Sequence, residues 1–132
     1  MNNNNWRETI QSKSDQLNAV DLISPITVTV SQVTRVNDLS QPMVINYQGD
    51  NGKPYKPSLT MRRVILSIWG EDDTQWIGRG MVLYNEPTVM WAGKPSGGVQ
   101  ISHLSHMQNN VAKLMLPITR GKKKEFVIRL LS

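Results

Sequence analysis

His103 and His106 stand three residues apart, a spacing at which two imidazoles could share a metal ion if a helix carried them. The residues around them alternate as a strand does, which sends the two rings to opposite faces. The nearest upstream carboxylate is Glu86, and the chain has no Cys. That absence removes thiolate zinc sites, iron–sulfur clusters, disulfides and a thiol nucleophile together. Glu71-Asp72-Asp73 could hold magnesium or serve in acid–base chemistry, yet three acids in a polar connection of hairpin length read as solvated turn residues. No serine stands with a convincing base and orienting group, and Gly97-Gly98 belongs to no phosphate-binding fingerprint. These residues argue against an enzyme and call for no metal and no cofactor.

Aromatic and basic residues together offer more. Trp69, Trp76, Tyr84 and Trp91 fall within 23 residues, interleaved with Arg62, Arg63, Arg79 and Lys94. Single-stranded nucleic acid is held by rings that stack on bases, at about 1–3 kcal/mol per base, beside cations that neutralise phosphates. The same rings could equally fill the core of a chain with only 39% hydrophobic residues. Lys122-Lys123-Lys124 cannot be buried without partners, so it is either a contact arm or a solvated tip. Lys53 and Lys56, with Tyr55 between them, form a second basic-aromatic spot of lower weight. The candidate nucleic-acid contacts are therefore Arg62, Arg63, Trp69, Trp76, Arg79, Tyr84, Lys122, Lys123 and Lys124.

The elements that must position them read as mostly β. Residues 1–5 form an asparagine tract expected to be disordered, and residues 6–24 a short N-terminal helix or linker. From Pro25, Ile26, Val28 and Val30 alternate with polar residues, and the parity slips at Val33, which predicts a bulged strand. Met43–Tyr47 is a second strand. Leu59–Trp69 reads as the strongest strand, with Val64, Leu66 and Ile68 on one face, and Gln75–Tyr84 as the strand that returns from it. In the latter, Trp76, Gly78 and Gly80 would share a face, leaving either a barrel corner or a flat platform. Residues 85–98 look irregular, and Val99–Met107 is a further strand. Ala112–Thr119 and Glu125–Leu131 flank a cationic tip at 120–124, which makes a C-terminal β-hairpin. The expected architecture over 25–132 is a single small OB-like β-barrel with long loops.

Charge sharpens this picture. The chain has 132 residues and a formal net charge of +5, a length that suits one domain. Basic and acidic residues balance over 1–60 and again over 61–110, while 111–132 hold six basic residues against Glu125 alone. No apolar run approaches the roughly 18–20 residues that span a bilayer. The N-terminus lacks the basic and apolar regions of a signal peptide. Both observations lead to the expectation of a soluble, intracellular protein with no membrane partner.

One further signal is a likeness. Lys53-Pro54-Tyr55-Lys56-Pro57, Met61-Arg62-Arg63, Trp69-Gly70-Glu71-Asp72-Asp73, Trp76-Ile77-Gly78-Arg79, Leu83-Tyr84-Asn85-Glu86-Pro87, Trp91-Ala92-Gly93-Lys94 and Gly97–His103 carry it. Over roughly residues 25–107 the chain resembles small uncharacterised proteins of bacteriophages and prophages. The resemblance implies a phage origin and action in the cytoplasm of the bacterial host, and brings no catalytic residue. By analogy of fold and context, the leading expectation is a phage single-stranded-DNA-binding protein of replication or recombination. The rival is a phage inhibitor that docks on a host enzyme or defence complex through a patch such as Met90 and Trp91. A third reading is a structural virion component assembling as a homo-oligomer.

Overall fold

The computed structural model describes residue 6 and residues 14–132. The asparagine tract and most of the segment expected as an N-terminal helix lie outside the described residues. Residues 14–24 run as an arm with a 3-10 turn at Ala19–Asp21. Leu17 and Leu22 are buried, and the Leu17 N–H donates to the Pro54 carbonyl at 2.9 Å.

Eight strands and one α-helix follow among the described residues: β1 (Ile26–Arg35), β2 (Met43–Tyr47), α1 (Leu59–Trp69), β3 (Gly80–Glu86), β4 (Met90–Trp91), β5 (Lys94–Pro95), β6 (Gly98–Leu104), β7 (Val111–Thr119) and β8 (Lys122–Leu130). The main sheet has the order β2-β1-β3-β6-β8-β7; β4 and β5 pair by themselves. The β6–β8 pairing is parallel and all others are antiparallel. The mostly β reading holds, but the six-stranded sheet is open, with β2 and β7 at its ends instead of hydrogen-bonded to each other as a barrel requires.

The slip in the hydrophobic pattern of β1 is a real register shift, between Val30 and Gln32 in the ladder with β2. It lets one strand serve two neighbours. Ile26–Thr29 pair with β3, while Val30 and the residues from Gln32 to Arg35 pair with β2.

The largest correction is at 59–69, which is a helix and not a strand. Ser58 caps it, its Oγ accepting from the Met61 N–H at 3.3 Å. Gly70, at φ +84°, ends it and donates its N–H to the Leu66 carbonyl. The alternation of Val64, Leu66 and Ile68 coexists with a helical period, Met61, Val64, Ile65, Ile68 and Trp69, and that second set makes the contacts. Met61, Val64, Ile65 and Trp69 are buried and Ile68 packs on the core, while Leu66 stays exposed.

The return strand is also shorter than expected. Residues 73–76 form a 3-10 turn, Gly78 takes a positive φ of 86°, and β3 starts only at Gly80. Trp76, Gly78 and Gly80 therefore do not line one strand face. A Cβ at Gly80 would stand 2.9 Å from Leu131 Cδ2, the end of a side chain that can turn aside.

Residues 85–98 contain the small β4–β5 hairpin, turned by Ala92 and Gly93 at positive φ. The C-terminal hairpin forms as expected, but its turn is only Arg120-Gly121, with Gly121 at φ +80°. Lys122, Lys123 and Lys124 lie in β8 beyond the tip.

One face of the sheet builds the core with α1. Met81 and Leu83 of β3, Ile101 and Leu104 of β6, and Phe126 and Ile128 of β8 meet the buried helix residues there. Burial of this kind contributes about 25 cal/mol per Å² of apolar surface and is the main stabilising term. Tyr55 is buried too, and its hydroxyl donates to the Val99 carbonyl at 3.1 Å, tying the 53–57 segment to β6.

Candidate functional site

Trp69 and Trp76 are core residues. Their rings lie 6.1 Å apart at 47°, and the Trp69 indole N–H donates to the Ser105 carbonyl at 2.7 Å. Arg79 covers Trp69 from outside, its guanidinium 5.4 Å from the ring centroid. The expected role of these two rings as base-stacking platforms does not survive their burial, because a platform needs a free face. A lean core has recruited them instead.

Tyr84 lies on the sheet face away from α1, since it alternates with buried Met81 and Leu83. Its hydroxyl sits 3.4 Å from Glu86 Oε1 and 3.5 Å from Gln100 Oε1. Partial burial and the neighbouring Glu86 raise its pKa. It is thus separated from the arginines with which the sequence grouped it.

Arg62 and Arg63 project from the first half of α1. The Arg62 guanidinium donates to the Pro57 and Ser40 carbonyls at 2.8 and 3.3 Å, which fixes the loop before β2 against the helix. Burial, with like-charged Arg63 beside it, lowers its pKa below the ordinary arginine value. Arg63 lines two neighbouring depressions. A groove of about 370 Å³ runs between α1 and the β1–β2 end of the sheet; its walls include Met43, Leu66 and Trp76, with Arg35, Arg62 and Arg63 on its border. A second cleft, of about 440 Å³, lies between the helix N-terminus and the hairpin tip, and places Arg63 and Arg120 on its lining. Leu59 and Arg63 are common to both.

This is the juxtaposition that the linear sequence hides. The C-terminal cations lie dozens of residues from the arginines of α1, yet the β7–β8 turn brings Arg120 into a cleft shared with Arg63. Beyond the turn, Lys122, Lys123 and Lys124 are all exposed. Lys124 is on the helix side with Phe126, its Nζ 5.3 Å from that ring, and strand alternation puts Lys123 on the opposite face. A basic path therefore runs Arg35–Arg63–Arg120–Lys122/Lys124. Arg35 and Arg120 are the members that sequence reasoning missed as contacts; proximity in the fold, not spacing, identifies them.

His103 and His106 do not converge. Each Nδ1 lies 2.7 Å from the Oγ of its preceding serine, Ser102 or Ser105. Among the described residues no group of three or more His, Asp or Glu could hold a metal ion. Asp72 caps the 73–76 turn, accepting from the Thr74 hydroxyl and N–H, and these bonds lower its pKa. Among the described residues no helix is long and apolar enough to cross a membrane.

Comparison with known proteins finds no family model, no curated protein and no solved structure that matches the chain.

Proposed function

We propose that the protein is a single-stranded-nucleic-acid-binding module, a phage DNA-binding factor of replication or recombination acting in the bacterial cytoplasm. The observation that carries this reading is the cleft lined by Arg63 of α1 and Arg120 of the β7–β8 turn, with exposed Lys122, Lys123 and Lys124 following that turn in β8. Phosphates spaced along a flexible strand fit a line of such cations better than a compact anion does. The reading no longer relies on Trp69 and Trp76, nor on a closed OB-like barrel. Affinity rests on the cations, with exposed apolar Leu59 beside them as a surface against which a base can lie.

The test is fluorescence anisotropy with a labelled single-stranded oligonucleotide at two ionic strengths. Binding should weaken with salt at a log–log slope of about −0.7 per phosphate neutralised. Replacing Lys122, Lys123 and Lys124 by alanine should flatten that slope and leave the unfolding midpoint unchanged. No binding at low salt would remove the proposal.

A second reading, a phage inhibitor of a host enzyme or defence complex, is favoured by the β4–β5 hairpin, where Met90 and Trp91 are 57% and 76% exposed. Large exposed apolar side chains of this kind serve as anchors at protein interfaces. A pull-down from nuclease-treated host lysate with wild type and Trp91→Ala separates the two. A stoichiometric protein lost in the variant favours the inhibitor; recovery that depends on intact nucleic acid favours the strand binder.

A further inference from the structure

The two ends of the main sheet are finished differently. At the β2 end, Ile45 exchanges both backbone hydrogen bonds with Tyr55, at 2.8 and 2.9 Å, and this covers the middle of that edge. At the other end β7 pairs with β8 on one side, and among the described residues no strand lies on its other side. A long open edge is a template for a further strand unless charge, proline or a bulge blunts it. Over Val111–Thr119 the one charged side chain is Lys113, and Pro117 and the register shift after it lie at the tip end.

The ladder decides which backbone groups point outward. The Leu130 N–H donates to the Asn110 carbonyl at 2.8 Å, so these two residues form a hydrogen-bonded pair. Such pairs alternate along an antiparallel ladder, and Ala112, Leu114 and Leu116 therefore bond to Ile128, Phe126 and Lys124. The N–H and C=O groups of Val111, Lys113 and Met115 point away from β8, and none of them has a partner among the described residues. Side chains sort the same way. Ala112, Leu114 and Leu116 pack on the core yet stay only partly buried, while Lys113 and Met115 are exposed on the opposite face.

We propose that β7 pairs antiparallel with β7 of a second copy of this chain, around a two-fold axis at Leu114, which joins the two main sheets into one. The occupant is a second copy because the strand is complementary to itself in this register. Lys113 faces Met115 of the second copy and Val111 faces Pro117 of the second copy, so every outward N–H finds a carbonyl. Pro117 contributes only its carbonyl, at the end of the new ladder, where a missing N–H costs least. On the core face Leu114 meets its own copy and Ala112 meets Leu116, so the partly buried apolar row continues from one copy into the other. On the outer face Glu125, opposite Met115 in its own chain, comes next in the row, so Lys113 meets an apolar side chain and then a carboxylate. An axis at Lys113 would set two lysines against each other. An axis at Met115 would set Pro117 against Lys113 and lose a donor inside the ladder. A shift of one residue would face outward groups with inward ones and make no bonds.

The test is sedimentation velocity on the full chain over a range of concentrations, after nuclease treatment and in high salt so that no nucleic acid bridges copies. The mass should rise from 14.9 kDa toward twice that value. With rising concentration the Lys113 and Met115 amides should exchange about tenfold more slowly relative to Leu114, whose amide is bonded to β8 in either state. Met115→Lys, at a 59% exposed site, opposes like charges on both sides of the axis and should weaken association about tenfold. Adding Lys113→Glu to that variant turns the repulsion into attraction and should restore association. Met115→Pro removes only an outward N–H and should also block pairing, with circular dichroism unchanged.

A chain that stays monomeric at every concentration overturns the pairing and leaves the edge to a strand of another protein. Dimers that form equally well in folded Met115→Lys and Met115→Pro overturn this surface. A folded double variant that stays as weak as Met115→Lys overturns the register. The pairing needs no nucleic acid, and its failure would leave the strand-binding reading where it stands.

Discussion

The two core tryptophans differ in one atom's circumstances, and that difference is measurable. Trp69 donates a short hydrogen bond to Ser105 and lies under Arg79, whereas the Trp76 N–H has no partner among the described residues. Phenylalanine removes the indole N–H at either site. At Trp69 it also orphans a carbonyl, while at Trp76 it deletes a donor that was already costly. Trp69→Phe should therefore destabilise by about 1–2 kcal/mol more than Trp76→Phe in urea unfolding, and equal losses would contradict the assignment of partners. The tyrosines give the alkaline limit of stability. Burial, then Asp50 and Asp21, push the Tyr47 pKa from 10.0 to about 12. Burial likewise raises Tyr55, and raises Tyr84 with help from Glu86. A phenol whose folded pKa lies above its unfolded value favours the folded state fully below pH 10, and that contribution fades as pH climbs toward 12. Unfolding midpoints should hold level up to pH 9 and fall above about pH 10, less steeply in Tyr47→Phe.

At the scale of elements, α1 decides both the fold and the site. Ser58→Ala removes the bond to the Met61 N–H and should cost about 1 kcal/mol, readable in thermal unfolding. Met61→Ala, at a fully buried position, should cost about 2–5 kcal/mol. A strand in place of this helix would leave Ser58→Ala no cap to break and no such cost. How much the sequence discloses also varies by element. β1, β2, the bulge and the C-terminal hairpin are legible because alternation and turn residues agree, although the Arg120-Gly121 turn is shorter than the 120–124 tip expected from the sequence. The 59–69 segment is not, because β-branched and aromatic residues at alternating positions mimic a strand while i, i+3, i+4 spacing runs underneath. The deciding signals were Ser58 as a cap and Gly70 as a stop, both visible in the sequence and outweighed by composition. Reading it as a strand supplies the expected barrel with a strand that the sheet does not have and leaves Trp69 open between core and surface. Lys122–Lys124 were legible as exposed because three adjacent ammonium groups admit no burial. The approach of Arg120 to Arg63 was not, since a long-range approach leaves no trace in local spacing.

For the molecule as a whole, the charge imbalance of the last 22 residues acquires a location: a path that starts on the helix side of the sheet and ends on the C-terminal hairpin. The attachment of that hairpin has its own consequence. β7 and β8 pair with each other along nearly their full length, but β8 meets β6 in the parallel ladder only through His103 opposite Arg129 and Leu104 opposite Leu130. Beyond that, the Leu131 N–H donates to the Leu104 carbonyl, Phe126 and Ile128 are buried, and Ala112, Leu114 and Leu116 of β7 pack on the core. β3, by contrast, is clamped by ladders on both sides. Native-state hydrogen exchange should therefore resolve two cooperative units, with β7 and β8 amides opening together at a lower free energy than those of β3. The arm that carries the chain's net positive charge would then detach before β3 and lock after it. Ligand occupancy between Arg63 and Arg120 would register as slower exchange throughout the hairpin, a clock on binding read from amides that touch nothing.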